Sequence, residues 1–73
     1  MSPRLPVVSG QDAIRALRKA EFRQISQRGS HVKMRSDAGM TAIVPLHREL
    51  APGTLRSILR QANLGVEDFA KLL

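Results

Sequence analysis

The chain of 73 residues contains no cysteine, no tryptophan and no tyrosine. Without cysteine it cannot form a disulfide, a cysteine-based zinc site or a thiol nucleophile. Its two histidines, His31 and His47, cannot complete a structural zinc site without help from carboxylates, and the sequence has no His-x-x-x-His pair. The sequence therefore predicts neither a metal site nor a small-molecule cofactor.

Aromatic rings and long apolar runs are also scarce. Phe22 and Phe69 are the only aromatic residues, which argues against RNA-binding sheets of the RRM or OB type, since these stack bases on exposed rings. No apolar run is long enough to cross a membrane, and Pro3 and Pro6 interrupt any signal-like N-terminus. We therefore expect a cytoplasmic protein without membrane association.

Positive charge is abundant by contrast. The chain has 12 Lys and Arg against 6 Asp and Glu, a formal net charge of +6, and the basic residues occur along its whole length. This balance suits a polyanionic partner, namely RNA, DNA or an acidic protein that masks the basic surface, although solubility alone also explains a basic chain. The length predicts a single domain over 1–73, with one layer of sheet against one layer of helix.

The first helix is predicted by a capping box at 9–12. The Ser9 hydroxyl can accept from the Asp12 backbone N–H while the Asp12 side chain reaches back. Apolar residues then recur at helical spacing as far as about Ala20 and predict one stripe that faces the core. The residues of this stripe are Ala13, Ile14, Leu17 and Ala20 or Glu21.

A first strand over 22–27 and a second, alternating strand over 31–36 predict a hairpin. Gly29 and Ser30 between them suit the first two positions of a type II′ turn, where glycine supplies a positive φ. With this turn, the predicted cross-strand pairs are Arg28 with His31 and Ile25 with Met34.

A third strand is predicted over 40–46, after a turn at 37–39. The predicted pairs are Val32 with Val44 and Met34 with Ala42, and they place these four side chains on one apolar face. Alternate residues of the second strand, His31, Lys33 and Arg35, then lie on the outer face.

Two helices complete the predicted α-β-β-β-α-α order. The second helix begins at Pro52 with an apolar stripe at Leu55, Ile58, Leu59 and Ala62, and Asn63 suits a left-handed position after it. A short last helix follows Gly65, and we expect Phe69, Leu72 and Leu73 to pack back onto the core.

His31 is the first candidate for chemistry, because imidazole is well suited to move protons near neutral pH. RNA carries its own nucleophile, the 2′-hydroxyl, so cleavage needs a base, an acid for the leaving 5′-oxygen and cations against the phosphate charge. His31 supplies a base, with Arg28, Lys33 and Arg35 as nearby cations. A polar residue on an exposed hairpin would show the same pattern, so the pattern alone leaves both interpretations open.

His47 is the second candidate. It follows Pro45 and Leu46 in a loop that could approach the outer face, where it would act as a general acid or contact phosphate. A loop or helix-capping role is the simpler interpretation. Ser30 is interpreted as a turn residue, because no Asp-oriented histidine accompanies it.

Several stretches then occur in a characteristic order along almost the whole chain. They are 5–10, 22–28 followed by Gly29-Ser30-His31, 44–47, 49–62 and 66–73. This ordered set resembles the HicA toxins of bacterial type II toxin–antitoxin systems. Glu21 and Asn63 depart from the family pattern, since glycine is common at both positions. A left-handed backbone at Glu21 would cost about 1 kcal/mol.

The resemblance implies a fold like that of the double-stranded-RNA-binding domain, an α+β class that agrees with the order derived above. It also implies a toxin that cleaves mRNA, with the histidine after Gly-Ser, His31, as the catalytic residue, and a HicB antitoxin that covers the active face. We therefore expect a metal-independent endoribonuclease whose general base is His31. The expected RNA contacts are Arg28, Lys33, Arg35 and His47.

The alternative is a non-catalytic protein, either a double-stranded RNA-binding module or an inactive toxin-like partner protein. Double-stranded RNA domains span about 16 bp and need cations over two grooves. Here the second helix begins with Pro52-Gly53-Thr54 rather than with a lysine-rich cluster, which weakens the duplex-binding interpretation.

Overall fold

The computed structural model describes residues 4–73, so Pro3 lies outside the described residues. In chain order the elements are α1 (Gly10–Lys19), β1 (Phe22–Arg28), β2 (His31–Ser36), β3 (Thr41–Pro45), α2 (Pro52–Ala62) and α3 (Val66–Leu72). The strands form one antiparallel sheet in the order β1-β2-β3. The predicted α-β-β-β-α-α order and the α+β class are both confirmed.

The capping box at the start of α1 is confirmed. The Asp12 backbone N–H donates to the Ser9 hydroxyl over 3.0 Å, and the Ser9 backbone N–H donates to the Asp12 carboxylate over 3.1 Å. The bond from the Ser9 backbone, followed by that with the Ser9 hydroxyl, lowers the pKa of Asp12 from its ordinary value. The helix ends at Lys19 and buries Ala13, Ile14, Ala16 and Leu17.

The chain leaves α1 through a left-handed residue. Glu21 has a φ of 68°, and its exposed side chain gains no core contact in return. The glycine-like conformation considered from the sequence is therefore present, with a glutamate in it. The strain costs about 1 kcal/mol. The same turn places Phe22 in the core, where it is 5% exposed.

The β1–β2 hairpin follows the prediction at its turn but not farther along. Gly29 has a φ of 57° while Ser30 is not in the left-handed region, as a type II′ turn requires, and Arg28 pairs with His31. The predicted pair of Ile25 with Met34 is wrong. The register shifts at Ile25, so that Gln24 lies opposite Met34.

This bulge at Ile25 has a clear structural consequence. An unbroken two-residue alternation counted back from Arg28 would turn Phe22 to the outer face. One extra residue reverses the alternation, so Phe22 faces the core and Arg23 lies opposite Arg35 on the outer face. The bulge thus gives the sheet both a core phenylalanine and an additional outer arginine.

The register between β2 and β3 is confirmed. Val32 lies opposite Val44 and Met34 opposite Ala42, and each of the four side chains is at most 1% exposed. Strand β3 is one residue shorter at each end than predicted. These residues form the inner face, on which the helices pack.

The last two helices complete the core. Helix α2 begins at Pro52 and ends at Ala62, and Asn63 after it takes the predicted left-handed conformation with a φ of 55°. It buries Leu55, Ile58, Leu59 and Ala62, and α3 buries Phe69. The prediction that Leu73 packs back is wrong, because Leu73 follows the last residue of α3 and is 49% exposed.

Candidate nucleic-acid interface

The outer face of the sheet consists of three cross-strand rows, because residues paired on neighbouring strands share a face. The rows are Arg28–His31–Pro45, Ser26–Lys33–Ile43 and Arg23–Arg35–Thr41. We call the charged part of this surface the basic face: Arg23, Arg28, His31, Lys33 and Arg35. The inner face carries no charged side chain in these pairs: its β2 and β3 residues Val32, Met34, Ala42 and Val44 are buried and apolar, and β1 adds Phe22, Gln24 and Gln27.

His31 lies at one end of the basic face, as the first residue of β2. The type II′ turn at Gly29 and Ser30 brings it directly opposite Arg28, and its side chain is exposed. A shallow cleft of about 280 Å³ opens beside it. The residues that line this cleft are Ser26, Arg28, His31, Lys33 and Ile43.

The turn that carries His31 is fixed to the rest of the molecule by its backbone. The Leu46 N–H donates to the Ser30 carbonyl over 2.7 Å, and the Gly10 N–H donates to the His47 carbonyl over 2.9 Å. At Gly10, a Cβ would lie only 2.1 Å from the Pro45 carbonyl oxygen, so no other residue could start α1 this close to β3. The contacts join the helix start, the end of β3 and the hairpin turn.

The cations of the basic face divide into two groups. Arg28 and Lys33 line the cleft beside His31. Arg35 lies in the row farther from His31, where its Nε donates to the Thr41 hydroxyl over 3.2 Å. Arg23 lies in the same row and pairs with Asp37 over 2.8 Å.

Arg23 is the outer-face residue that the sequence reasoning missed. The regular alternation predicted for the first strand turned it toward the other side, because the bulge at Ile25 was not foreseen. A signal was available in the neighbouring residue. If Phe22 is required in the core, Arg23 must face outward.

His47 does not line the cleft of His31. It follows β3 in an exposed loop, and its observed contact is through the backbone carbonyl that holds Gly10. The structure therefore brings together His31, Arg28 and Lys33, continues the same face to Arg35, and leaves His47 outside the cleft.

Residues 4–73 lack two features that would indicate another kind of site. Within that range, no group of three or more histidine, aspartate or glutamate side chains is arranged to hold a metal ion. No helix in the same part of the chain is long and apolar enough to span a bilayer.

The fold and this surface define a class of small α+β proteins in which an open sheet presents a histidine among cations. The family model described as the HicA toxin of bacterial toxin–antitoxin matches residues 10–64 of the 73. The chain therefore belongs to the HicA toxin family, and the resemblance seen in the sequence is confirmed. A search of the curated proteins finds no match to it.

Membership of this family makes the protein the toxin of a toxin–antitoxin pair, with an antitoxin as its partner. The matched range contains all three strands, the hairpin turn and the whole basic face. Helix α3 lies beyond it.

Proposed function

We propose that this toxin is a metal-independent endoribonuclease that cleaves mRNA, with His31 as its general base. The observation that carries the proposal is the cleft in which an exposed imidazole lies beside two cations, Arg28 and Lys33. Membership of the HicA family supports the assignment of the protein as a toxin, and the cleft supports the proposed cleavage of RNA. Its substrate would be met in the cytoplasm.

The reaction uses the nucleophile that RNA already contains. His31 takes the proton from a 2′-hydroxyl, and the 2′-oxygen attacks the adjacent phosphorus. The bond from phosphorus to the 5′-oxygen breaks, that oxygen takes a proton from solvent water, and His31 releases the proton that it took to solvent. The products are a 2′,3′-cyclic phosphate and a 5′-hydroxyl end.

The cations of the cleft have a separate role. The phosphate gathers negative charge as the 2′-oxygen attacks, and Arg28 and Lys33 lie on the same face as the base to neutralise it. Arg35 lies one row farther along the sheet and would contact the neighbouring phosphate of a bound strand. His47, outside the cleft, would contribute RNA contacts from the adjoining loop.

The test is cleavage of a single-stranded RNA by purified protein in the presence of EDTA. One positioned base is typically worth 10²–10⁴-fold, so His31→Ala should slow cleavage by about that factor. His47→Ala is the matched control, and it should lower RNA affinity more than it lowers the rate of the bound complex. Equal rates for the native protein and His31→Ala, or activity abolished by EDTA, would contradict the mechanism. Tight duplex binding without cleavage would favour the non-catalytic alternative.

We also propose that the antitoxin partner is HicB-like and covers the basic face. An inhibitor gains most from charge complementarity when it masks the cations that hold the substrate. The antitoxin should therefore compete with RNA for His31→Ala protein, which binds without cutting. Simultaneous binding of RNA and antitoxin would contradict this arrangement.

A further inference from the structure

The cleft beside His31 contains an apolar side chain as well as cations. Ile43 lies at the centre of β3 and is half-buried, directly opposite Lys33. Its backbone N–H donates to the Gln61 side chain of α2 over 3.0 Å, which holds this strand edge in place. The proposed cleavage chemistry gives Ile43 no role.

Neither phenylalanine offers an exposed ring to an RNA base. Phe22 and Phe69, the chain's only aromatic residues, are 5% and 0% exposed. The apolar surface available to a base beside His31 is therefore aliphatic. Ile43 supplies that surface within the cleft.

The position of Ile43 matches the dimensions of one nucleotide. Successive outer residues of a strand lie about 7 Å apart, so the Ile43 row is one step from the His31 row. The cleft volume of about 280 Å³ is close to the lower end of the range for small-molecule pockets, roughly 300–1,000 Å³. Such a cleft accepts a single ring, whereas a folded protein partner covers a much wider surface.

We propose that Ile43 and Ser26 form a subsite for one RNA base. The base lies against the Ile43 side chain, and the Ser26 hydroxyl, in the same cross-strand row, hydrogen-bonds to its edge. Lys33 between them and Arg28 beside them hold the phosphate, which leaves the ribose next to His31. This inference rests on the proposed function, because it takes RNA as the ligand.

The experiment measures binding and not cleavage. His31→Ala protein is titrated with a short single-stranded RNA and with a ribose–phosphate chain of the same length that lacks bases. The base-bearing RNA should bind roughly five- to tenfold more tightly, because a base buries apolar area against Ile43. Ile43→Thr, in the same background, should remove most of that preference and leave binding of the abasic chain unchanged.

The matched control is Ile25→Thr. Ile25 is 45% exposed on β1 and does not line the cleft, so the same substitution there should keep the preference. Circular dichroism checks that each variant is folded. If Ile43→Thr does not fold, Ile43→Val should fold and reduce the preference roughly twofold, since it removes one methylene.

Three results would overturn the subsite. The first is equal affinity for the two oligonucleotides. The second is a preference that Ile43→Thr leaves intact or that Ile43→Val leaves undiminished. The third is a variant that weakens antitoxin binding alone, which would assign Ile43 to a protein contact. The nuclease proposal fails separately. If the native protein does not cut RNA but its base preference depends on Ile43, the nuclease proposal is contradicted and the subsite proposal is supported.

Discussion

The two faces of the sheet are built from alternate residues of the same strands, yet different forces position them. On the inner face, Val32 and Met34 are held by apolar burial and contact the helices. On the outer face, His31 and Arg35 are exposed, and their place is set by strand pairing, with one side-chain hydrogen bond from Arg35 to Thr41. Substitutions on the inner face should therefore affect stability, and those on the outer face should affect what the protein binds and cuts.

The largest expected effect on stability compares two neighbours on β2. Met34 is 0% exposed, and Met34→Ala should lower the free energy of unfolding by about 2–5 kcal/mol, because it leaves a cavity in the core. Arg35→Ala, one residue along on the basic face, should change it by less than about 0.5 kcal/mol. Urea denaturation measures both, and similar losses would contradict the division between the faces.

The next effect concerns RNA binding by the basic face. Lys33→Ala in the His31→Ala background should weaken single-stranded RNA binding at low salt. It should also reduce the slope of log affinity against log salt by about 0.7, the value for one phosphate contact. Arg18→Ala removes the same charge from the exposed side of α1, and should leave the slope almost unchanged. Equal slopes for Lys33→Ala and the parent would remove Lys33 from the interface.

A smaller effect tests the turn that directs Phe22 to the inner face. Glu21→Gly should stabilise the protein by roughly 0.5–1 kcal/mol, because glycine adopts the observed positive φ without strain. The control is Asn63→Gly, where asparagine already tolerates a left-handed backbone, so the gain should be smaller. Thermal unfolding compares them, and a loss of stability in Glu21→Gly would contradict the strain at this turn.

The smallest effect is a pH dependence at the start of α1. The pKa of Asp12 is lowered in the folded protein by the bonds from Ser9, so the unfolded chain binds that proton at higher pH. The stabilisation is complete above the unfolded pKa of about 3.9 and is lost as the pH falls toward the lower folded value. Asp12→Asn should weaken the dependence of the free energy of unfolding on pH in this acidic range. An unchanged dependence would contradict the role of Asp12.

The same contrast explains how far the sequence could be interpreted. Apolar alternation predicted the inner pairs of β2 and β3, because a slip of one residue would expose all four side chains. The capping box and the left-handed Asn63 were predictable because each depends on a few adjacent residues. In these places, local chemistry and burial point to the same structure.

The bulge at Ile25 was not predictable from alternation, since the polar residues around it are exposed on both faces and carry no register signal. Only the need to bury Phe22, which is a tertiary requirement, selects it. The candidate site is also only partly predictable from the sequence, for the same reason. His31, Arg28, Lys33 and Arg35 follow from the turn and one strand, whereas Arg23 and Ile43 join them only through the pairing of all three strands.

The central claim is that His31 acts on the 2′-hydroxyl of RNA, and the most direct measurement replaces that hydroxyl. The native protein is given an RNA that it cuts at a mapped position and the same RNA with a single 2′-deoxyribose on the 5′ side of that position. Cleavage at the mapped position should vanish with the deoxyribose, and the fragments from the unmodified RNA should end in a 2′,3′-cyclic phosphate and a 5′-hydroxyl. Undiminished cleavage beside the deoxyribose would contradict the mechanism.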